Sequence, residues 1–216
     1  MTMTQQAEMA MRQPSKFWDR HAKGYAKRPV SDQAGYERKL KVTQQYLSPE
    51  MNVLEFGCGT GTTALIHAPF VNHIHATDLS EGMLAIAREK AVKGSIDNVT
   101  FERASVEGFS ADDASFDVVM THSLLHLLED KDAAVAKTHR LLKPGGLFVS
   151  STVCIGDAMP WLRPVLPIGR FLGLLPLVRF LRAEPLARDI EAAGFRIEHE
   201  WQPGSRKALF LVARKT

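Results

Sequence analysis

Short apolar runs bounded by turn residues alternate along this chain with longer stretches whose apolar positions recur at helical spacing. The runs at 53–56, 73–77, 99–103, 116–121, 147–152, 195–201 and 208–213 read as strands. The stretches 36–46, 62–68, 82–93, 132–142 and 185–193 read as helices. Strands alternating with helices are the signature of βαβ units on a parallel sheet. The element ends agree with this reading: Ser80 stands where it can cap 82–93, Pro49 closely follows the first helix, and Lys143-Pro144-Gly145-Gly146 stops the fourth. The last two strands are separated by Gln202-Pro203-Gly204-Ser205, short enough for a hairpin, which puts an antiparallel strand at the C-terminal edge. The expected architecture is α/β, a doubly wound sheet of seven strands, mostly parallel with an antiparallel C-terminal strand.

Composition adds limits. A chain of 216 residues, 45% of them hydrophobic, buries one good-sized core, so a single domain over 1–216 is expected. The 27 Lys and Arg against 24 Asp and Glu leave a net charge of +3, too small to call for a nucleic-acid partner. Of the two cysteines, Cys58 lies between Gly57 and Gly59, where a disulfide would distort the loop, which favours a reducing, cytoplasmic setting. Residues 1–12 are polar, contain Glu8 and lack the apolar core of a secretory signal; they read as a frayed tail.

The sharpest local feature is Val53-Leu54-Glu55-Phe56-Gly57-Cys58-Gly59-Thr60-Gly61, a buried strand that breaks into alternating glycines just before a helix. Glycines let the backbone turn tightly and approach a ligand where a Cβ would collide, the arrangement of a nucleotide-cofactor loop. Dinucleotide-binding loops want G-x-G-x-x-G, and the third such position here is Thr62, which argues against a nicotinamide-dependent oxidoreductase. Asp78 ends the second strand, near the distance of about 20 residues at which a ribose-binding carboxylate is expected. As an isolated residue it reads equally well as the start of a helix.

The loop resembles the first motif, E/D-x-G-x-G-x-G, of the class I S-adenosylmethionine-dependent methyltransferases. Phe116-Asp117-Val118-Val119 looks like that family's fourth strand, and Arg140-Leu141-Leu142-Lys143-Pro144-Gly145-Gly146 like its helix-to-fifth-strand turn. These narrow the likeness to the methyltransferase type 11 group, which includes enzymes of ubiquinone and menaquinone synthesis. The resemblance implies a Rossmann-like fold and S-adenosyl-L-methionine as cofactor. It assigns Glu55, Gly57, Cys58, Gly59 and Gly61 to the loop and the cofactor's amino-acid end, and Asp78 with Leu79 to the ribose. Ser105 and Val106 fall to the adenine; Ser105 stands where the family usually has Asp, so a neutral oxygen replaces a charged acceptor. Phe17-Trp18-Asp19-Arg20-His21-Ala22-Lys23-Gly24-Tyr25 resembles the W-D-x-x-A-x-x-Y stretch that folds over the cofactor, making 1–35 a cover segment and bringing Tyr25 to the site. Tyr25 packed on the core is the plainer alternative.

Methyl transfer from a sulfonium asks the protein mainly to align a nucleophile and exclude water. His122 ends the fourth strand, which the resemblance turns toward the cofactor, and its imidazole is a candidate base or a group that positions the methionine part. A local structural histidine is the equal alternative for His122 and the stronger one for His126. His122 with His126, or His73 with His75, lacks a third ligand, so no metal site is expected.

Residues 155–184 are far more apolar than a surface connection requires, with Trp161, Phe171, Leu175 and Phe180 among them. Arginines and four prolines rule out a membrane span. Three readings stand open: a lid on a lipophilic small-molecule acceptor, a basic amphipathic surface (160–182) touching a membrane from the cytoplasmic side, or a homodimer or core-packing element. Outside methyl transfer, a non-catalytic S-adenosylmethionine-binding accessory protein is the other reading.

Overall fold

A computed structural model of the chain describes residues 3–163, 166 and 175–216, with residues 3–14 described by backbone alone. Seven strands, β1 (Asn52–Phe56), β2 (His73–Asp78), β3 (Val99–Arg103), β4 (Phe116–His122), β5 (Leu142–Thr152), β6 (Phe195–Trp201) and β7 (Leu209–Lys215), form a sheet in the order β3-β2-β1-β4-β5-β7-β6. The chain divides into two compact units, residues 1–110 and 111–216.

The first unit holds α1 (Met3–Lys27), α2 (Gln33–Gln44), β1 (Asn52–Phe56), α3 (Thr62–His67), β2 (His73–Asp78), α4 (Glu81–Lys93) and β3 (Val99–Arg103). β1 pairs parallel with β2, Asn52 opposite His73, and β2 parallel with β3, Ile74 opposite Val99. Leu54, Phe56, Ile74 and Ala76 are buried, as expected of strands covered on both faces, whereas the β3 edge strand is half exposed. Ser80 caps α4 by accepting from the Met83 amide at 3.1 Å, as its position predicts. One expectation is corrected: residues 3–12 are not a frayed tail but the first part of the 25-residue helix α1. The expectation weighed the polarity of this stretch and not its period, for over the whole of α1 the apolar positions recur at helical spacing.

The second unit holds β4 (Phe116–His122), α5 (Lys131–Leu141), β5 (Leu142–Thr152), the single turn α6 (Ile155–Ala158), α7 (Ala183–Ala192), β6 (Phe195–Trp201) and β7 (Leu209–Lys215). β4 and β5 are parallel, and β7 runs antiparallel to both β5 and β6. The C-terminal hairpin therefore forms as expected, with β7 inserted between β5 and β6 rather than at the rim. Lys143-Pro144-Gly145-Gly146, read as a turn, is the irregular start of β5: the register shifts between Phe116 and Val118, and Gly145 takes a φ of 74°.

Candidate cofactor site

The strand-to-helix connection after β1 is held by a closed set of hydrogen bonds. Gly57, Gly59 and Gly61 have φ of 67°, 55° and 70°, the left-handed region that residues with a Cβ enter only under strain. A Cβ on Gly61 would stand 2.7 Å from the Ala87 Cβ and 2.9 Å from the Phe101 ring, so α4 and β3 require glycine there. At Gly59 a Cβ would meet nothing within 4 Å; the space it faces is open to a ligand. The Cys58 amide donates to Thr77 O at 2.9 Å and its carbonyl accepts from Gly61 N at 3.0 Å, fixing the loop against the end of β2. Cys58 contributes this backbone frame, since burial, then the charges of Glu55 and Asp78, push its thiol well up.

Asp78 joins the loop to the next helix. One carboxylate oxygen accepts from Gly59 N at 2.8 Å and the other from Ser80 N at 2.9 Å. A carboxylate has about four acceptor positions, so beside the amides of Gly59, Ser80 and Leu79 some capacity remains for a ligand hydroxyl. Burial raises its pKa, opposed by the amides of Ser80 and Gly59. The end of β3 is drawn to the same place, because Ala104 N donates to Asp78 O at 3.2 Å and Arg103 Nε to Leu79 O at 3.1 Å. Ser105 is buried there, but its hydroxyl oxygen already accepts from Gly108 N at 2.9 Å. It shapes the turn that carries buried Val106, a part the sequence reading did not give it.

Glu55 is the electrostatic anomaly of the unit. It is 1% exposed, and its Oε2 has no hydrogen-bond partner among the described residues. Burial, then the charge of Asp78, lift its pKa to about 8 against the pull of the Ala64 amide. A buried carboxyl oxygen without a partner is costly unless a ligand supplies the donor.

Two further residues border this region and were missed as site residues. Asp19 on α1 accepts from Ser80 Oγ at 2.6 Å and from Gly82 N at 3.0 Å, adding a second acidic cap to α4. Tyr36 on α2 places its hydroxyl 3.2 Å from Thr63 Oγ1 and feels the charge of Glu55. Asp19 is the acidic position of the W-D-x-x-A-x-x-Y stretch, which signals the residue but not its partners Ser80 and Gly82; Tyr36 has no local signal, because Thr63 is distant in sequence. Tyr25, 47% exposed, has its phenol pKa raised by partial burial and by Asp78.

In the second unit, His122 ends β4 and is followed by Ser123, whose φ of 55° marks local backbone strain. His126 is buried and desolvation lowers its pKa to about 4. Its carbonyl accepts from Arg179 N at 2.7 Å. His73 and His75 face Thr100 and Glu102, at 3.0 and 2.6 Å. Of the segment 155–184, residues 164, 165 and 167–174, Phe171 included, lie outside the described residues. Within the described part Trp161 is 68% and Leu175 39% exposed.

Residues 53–146 match a family described as a methyltransferase domain. Over 115 residues, 53% of this chain and 46% of the other, the sequence is 32% identical to the uncharacterized methyltransferase YcgJ of Bacillus subtilis. It is 35% identical over 102 residues to the ubiquinone/menaquinone biosynthesis C-methyltransferase UbiE of Shewanella piezotolerans, covering 45% of this chain and 41% of that one. The chain thus spans less than half the length of these relatives. The crystal structure of Bacillus YcgJ shares the fold with a TM-score of 0.65 at 18% identity, over 82% of this chain and 96% of that one. So does the [4+2]-cyclase SpnF, with 0.72 at 22%, over 86% and 83%. The matched sequence takes in β1 through the start of β5, including the glycine loop and Asp78, so this part of the chain resembles a methyltransferase domain, and over most of its length the chain shares the fold of the solved structures.

Proposed function

We propose that this chain transfers the methyl group of S-adenosylmethionine to a small acceptor with an apolar body. The observation that carries the reading is the pairing of the Asp78–Gly59 bridge with the partnerless Glu55 oxygen on neighbouring strands. S-adenosylmethionine, when bound, offers a methyl group on a sulfonium that an acceptor's lone pair displaces. For such a cofactor, Asp78 offers its remaining acceptor capacity to a ribose hydroxyl, and Glu55 offers a buried oxygen to an ammonium group. Gly59 leaves its near side open, and Tyr25 and Tyr36 border the site and limit water. Ser105 and Val106 serve the adenine edge, the Ser105 hydroxyl retaining a donor after taking the Gly108 amide.

Two observations support an apolar acceptor: the exposed Trp161 and Leu175, and the likeness to a quinone-pathway C-methyltransferase. No helix among the described residues is long and apolar enough to cross a membrane. Peripheral contact through 160–182 and a homodimer remain alternative uses of the same exposed residues. His122 is assigned as base from its place at the end of β4. A single functional domain covering the chain, with 1–35 as cover, is part of the same proposal.

Calorimetry with S-adenosylmethionine, S-adenosylhomocysteine and NAD tests the cofactor. The sulfur nucleotides are expected to bind, and Asp78→Ala to weaken them by about 1.5–3 kcal/mol. Binding of NAD alone overturns the reading. Labelled methyl incorporation into quinone, lipid, thiol and amine extracts identifies the acceptor. A fold shared with a [4+2]-cyclase does not by itself fix the reaction. Cofactor binding with no labelled product from any extract would favour a non-methylating role.

A further inference from the structure

Lys90 lies on α4, and its ammonium donates to Thr60 O at 3.1 Å, Thr60 Oγ1 at 3.0 Å and Thr62 Oγ1 at 2.8 Å. All three donors are thereby directed at neutral oxygens of the glycine loop and the start of α3. Thr60 is buried between the two left-handed residues Gly59 and Gly61. Gly61 is fixed by close packing against Ala87 and Phe101, and the Gly59 amide is fixed by Asp78. Lys90 supplies the tie at the Thr60 carbonyl, which lies between them.

We propose that Lys90 is a positioning residue for the cofactor loop, its ammonium holding the Thr60 peptide so that the open side of Gly59 keeps the shape a ligand needs. This rests on the reading of that loop as the cofactor site. An ammonium that gives up part of its hydration for neutral oxygens forms charge-assisted bonds, stronger than those an uncharged donor would make. Burial lowers the Lys90 pKa, in keeping with that lost hydration. Nothing in the amphipathic pattern of α4 announces this role, because the loop it grips is 28–30 residues away.

The test compares Lys90→Met with Lys90→Cys alkylated by 2-bromoethylamine, which restores an ammonium at nearly the original length, or by iodoacetamide, which does not. Cys58 and Cys154 are both free and buried, with raised thiol pKa values, so mass spectrometry should show one addition. S-adenosylhomocysteine affinity is expected to fall about tenfold in Lys90→Met. It should return to within about threefold of wild type after aminoethylation, and stay weak after carbamidomethylation. Hydrogen exchange at the Gly59 and Gly61 amides, measured without ligand, should quicken in Lys90→Met and slow again on aminoethylation. Equal rescue by the neutral reagent, wild-type affinity in Lys90→Met, or unchanged exchange each overturns the proposal. A wild-type protein that binds neither sulfur nucleotide would sink the cofactor reading, and the exchange experiment would still decide whether Lys90 holds the loop.

Discussion

The connection after β1 and the connection after β5 both leave parallel strands, yet they are built in opposite ways. After β1, successive residues of the loop are tied within the first unit: Cys58 to Thr77, Gly59 to Asp78, Thr60 to Lys90. After β5, the described residues are tied mainly at the returning end. Asp157 accepts from Arg182 Nε at 3.0 Å and Ala183 N at 2.7 Å, and the Arg179 side chain donates to the carbonyls of Leu128 and Glu129. Trp161 is largely exposed and Leu175 partly so. A loop that must hold one fixed cofactor is specified by backbone rules and short-range polar bonds. On the reading proposed above, the segment after β5 meets an acceptor, and such a segment is specified by the side chains it presents, which differ from one chemistry to the next.

The largest expected effect breaks the rigid side of this contrast. Gly61→Ala introduces a Cβ at 2.7 Å from Ala87 into a residue with φ of 70°. Strain and overpacking together are expected to cost about 3–5 kcal/mol, read by urea denaturation. A loss below about 1 kcal/mol would mean that the loop relaxes readily and is not the fixed cradle described above.

Glu55 gives the next effect. Its folded pKa of about 8 lies above the ordinary 4.5, so the folded chain holds this proton where the unfolded chain has released it. That stabilising contribution is complete below pH 4.5 and is lost as the pH rises through about 8. Glu55→Gln should flatten this part of the unliganded stability profile between pH 5 and 9. An identical slope in wild type and variant would show that Glu55 ionises normally despite its burial.

On the exposed side, Trp161→Ser with Leu175→Ser should change stability by less than about 0.5 kcal/mol, because both side chains already face solvent. Methyl transfer to an apolar acceptor should fall while cofactor affinity stays the same. A lower melting temperature, or a change of mass in solution, would turn these residues into packing or dimer contacts and remove the contrast between the two connections.

How much of this was legible in the sequence follows the same division. Strands 99–103 and 195–201 were placed to the residue, and most other element ends to within two or three, because apolar runs and turn residues act locally. The turn of the glycine loop was legible for the same reason, whereas Asp78 was singled out only by its spacing from that loop and by the resemblance. The roles of Asp19, Tyr36 and Lys90 were not legible, since each acts on a partner across the fold: Asp19 on Ser80, Tyr36 on Thr63, Lys90 on Thr60. The Gly108 amide that occupies the Ser105 hydroxyl was hidden too, because no periodicity marks a single turn.

That occupied hydroxyl sets the smallest effect. Ser105→Asp places a carboxylate where a hydroxyl oxygen now accepts from Gly108 N at 2.9 Å. One carboxylate oxygen can keep the turn, as Asp does at helix and turn starts, while the other faces the position assigned to the adenine amino group. Two effects then oppose each other. A charged acceptor strengthens the bond to that amino group, and burying a new charge at a buried position costs desolvation. Because the Gly108 amide already satisfies part of the new charge, S-adenosylhomocysteine binding is expected to tighten by up to about threefold or to stay level, with stability lowered by less than about 1 kcal/mol. Calorimetry and thermal unfolding on the same sample separate the two terms. A tenfold loss of affinity in a folded variant would mean that Ser105 meets the nucleotide as a donor, through its hydroxyl proton, and that the adenine is read from the opposite side of the hydrogen bond.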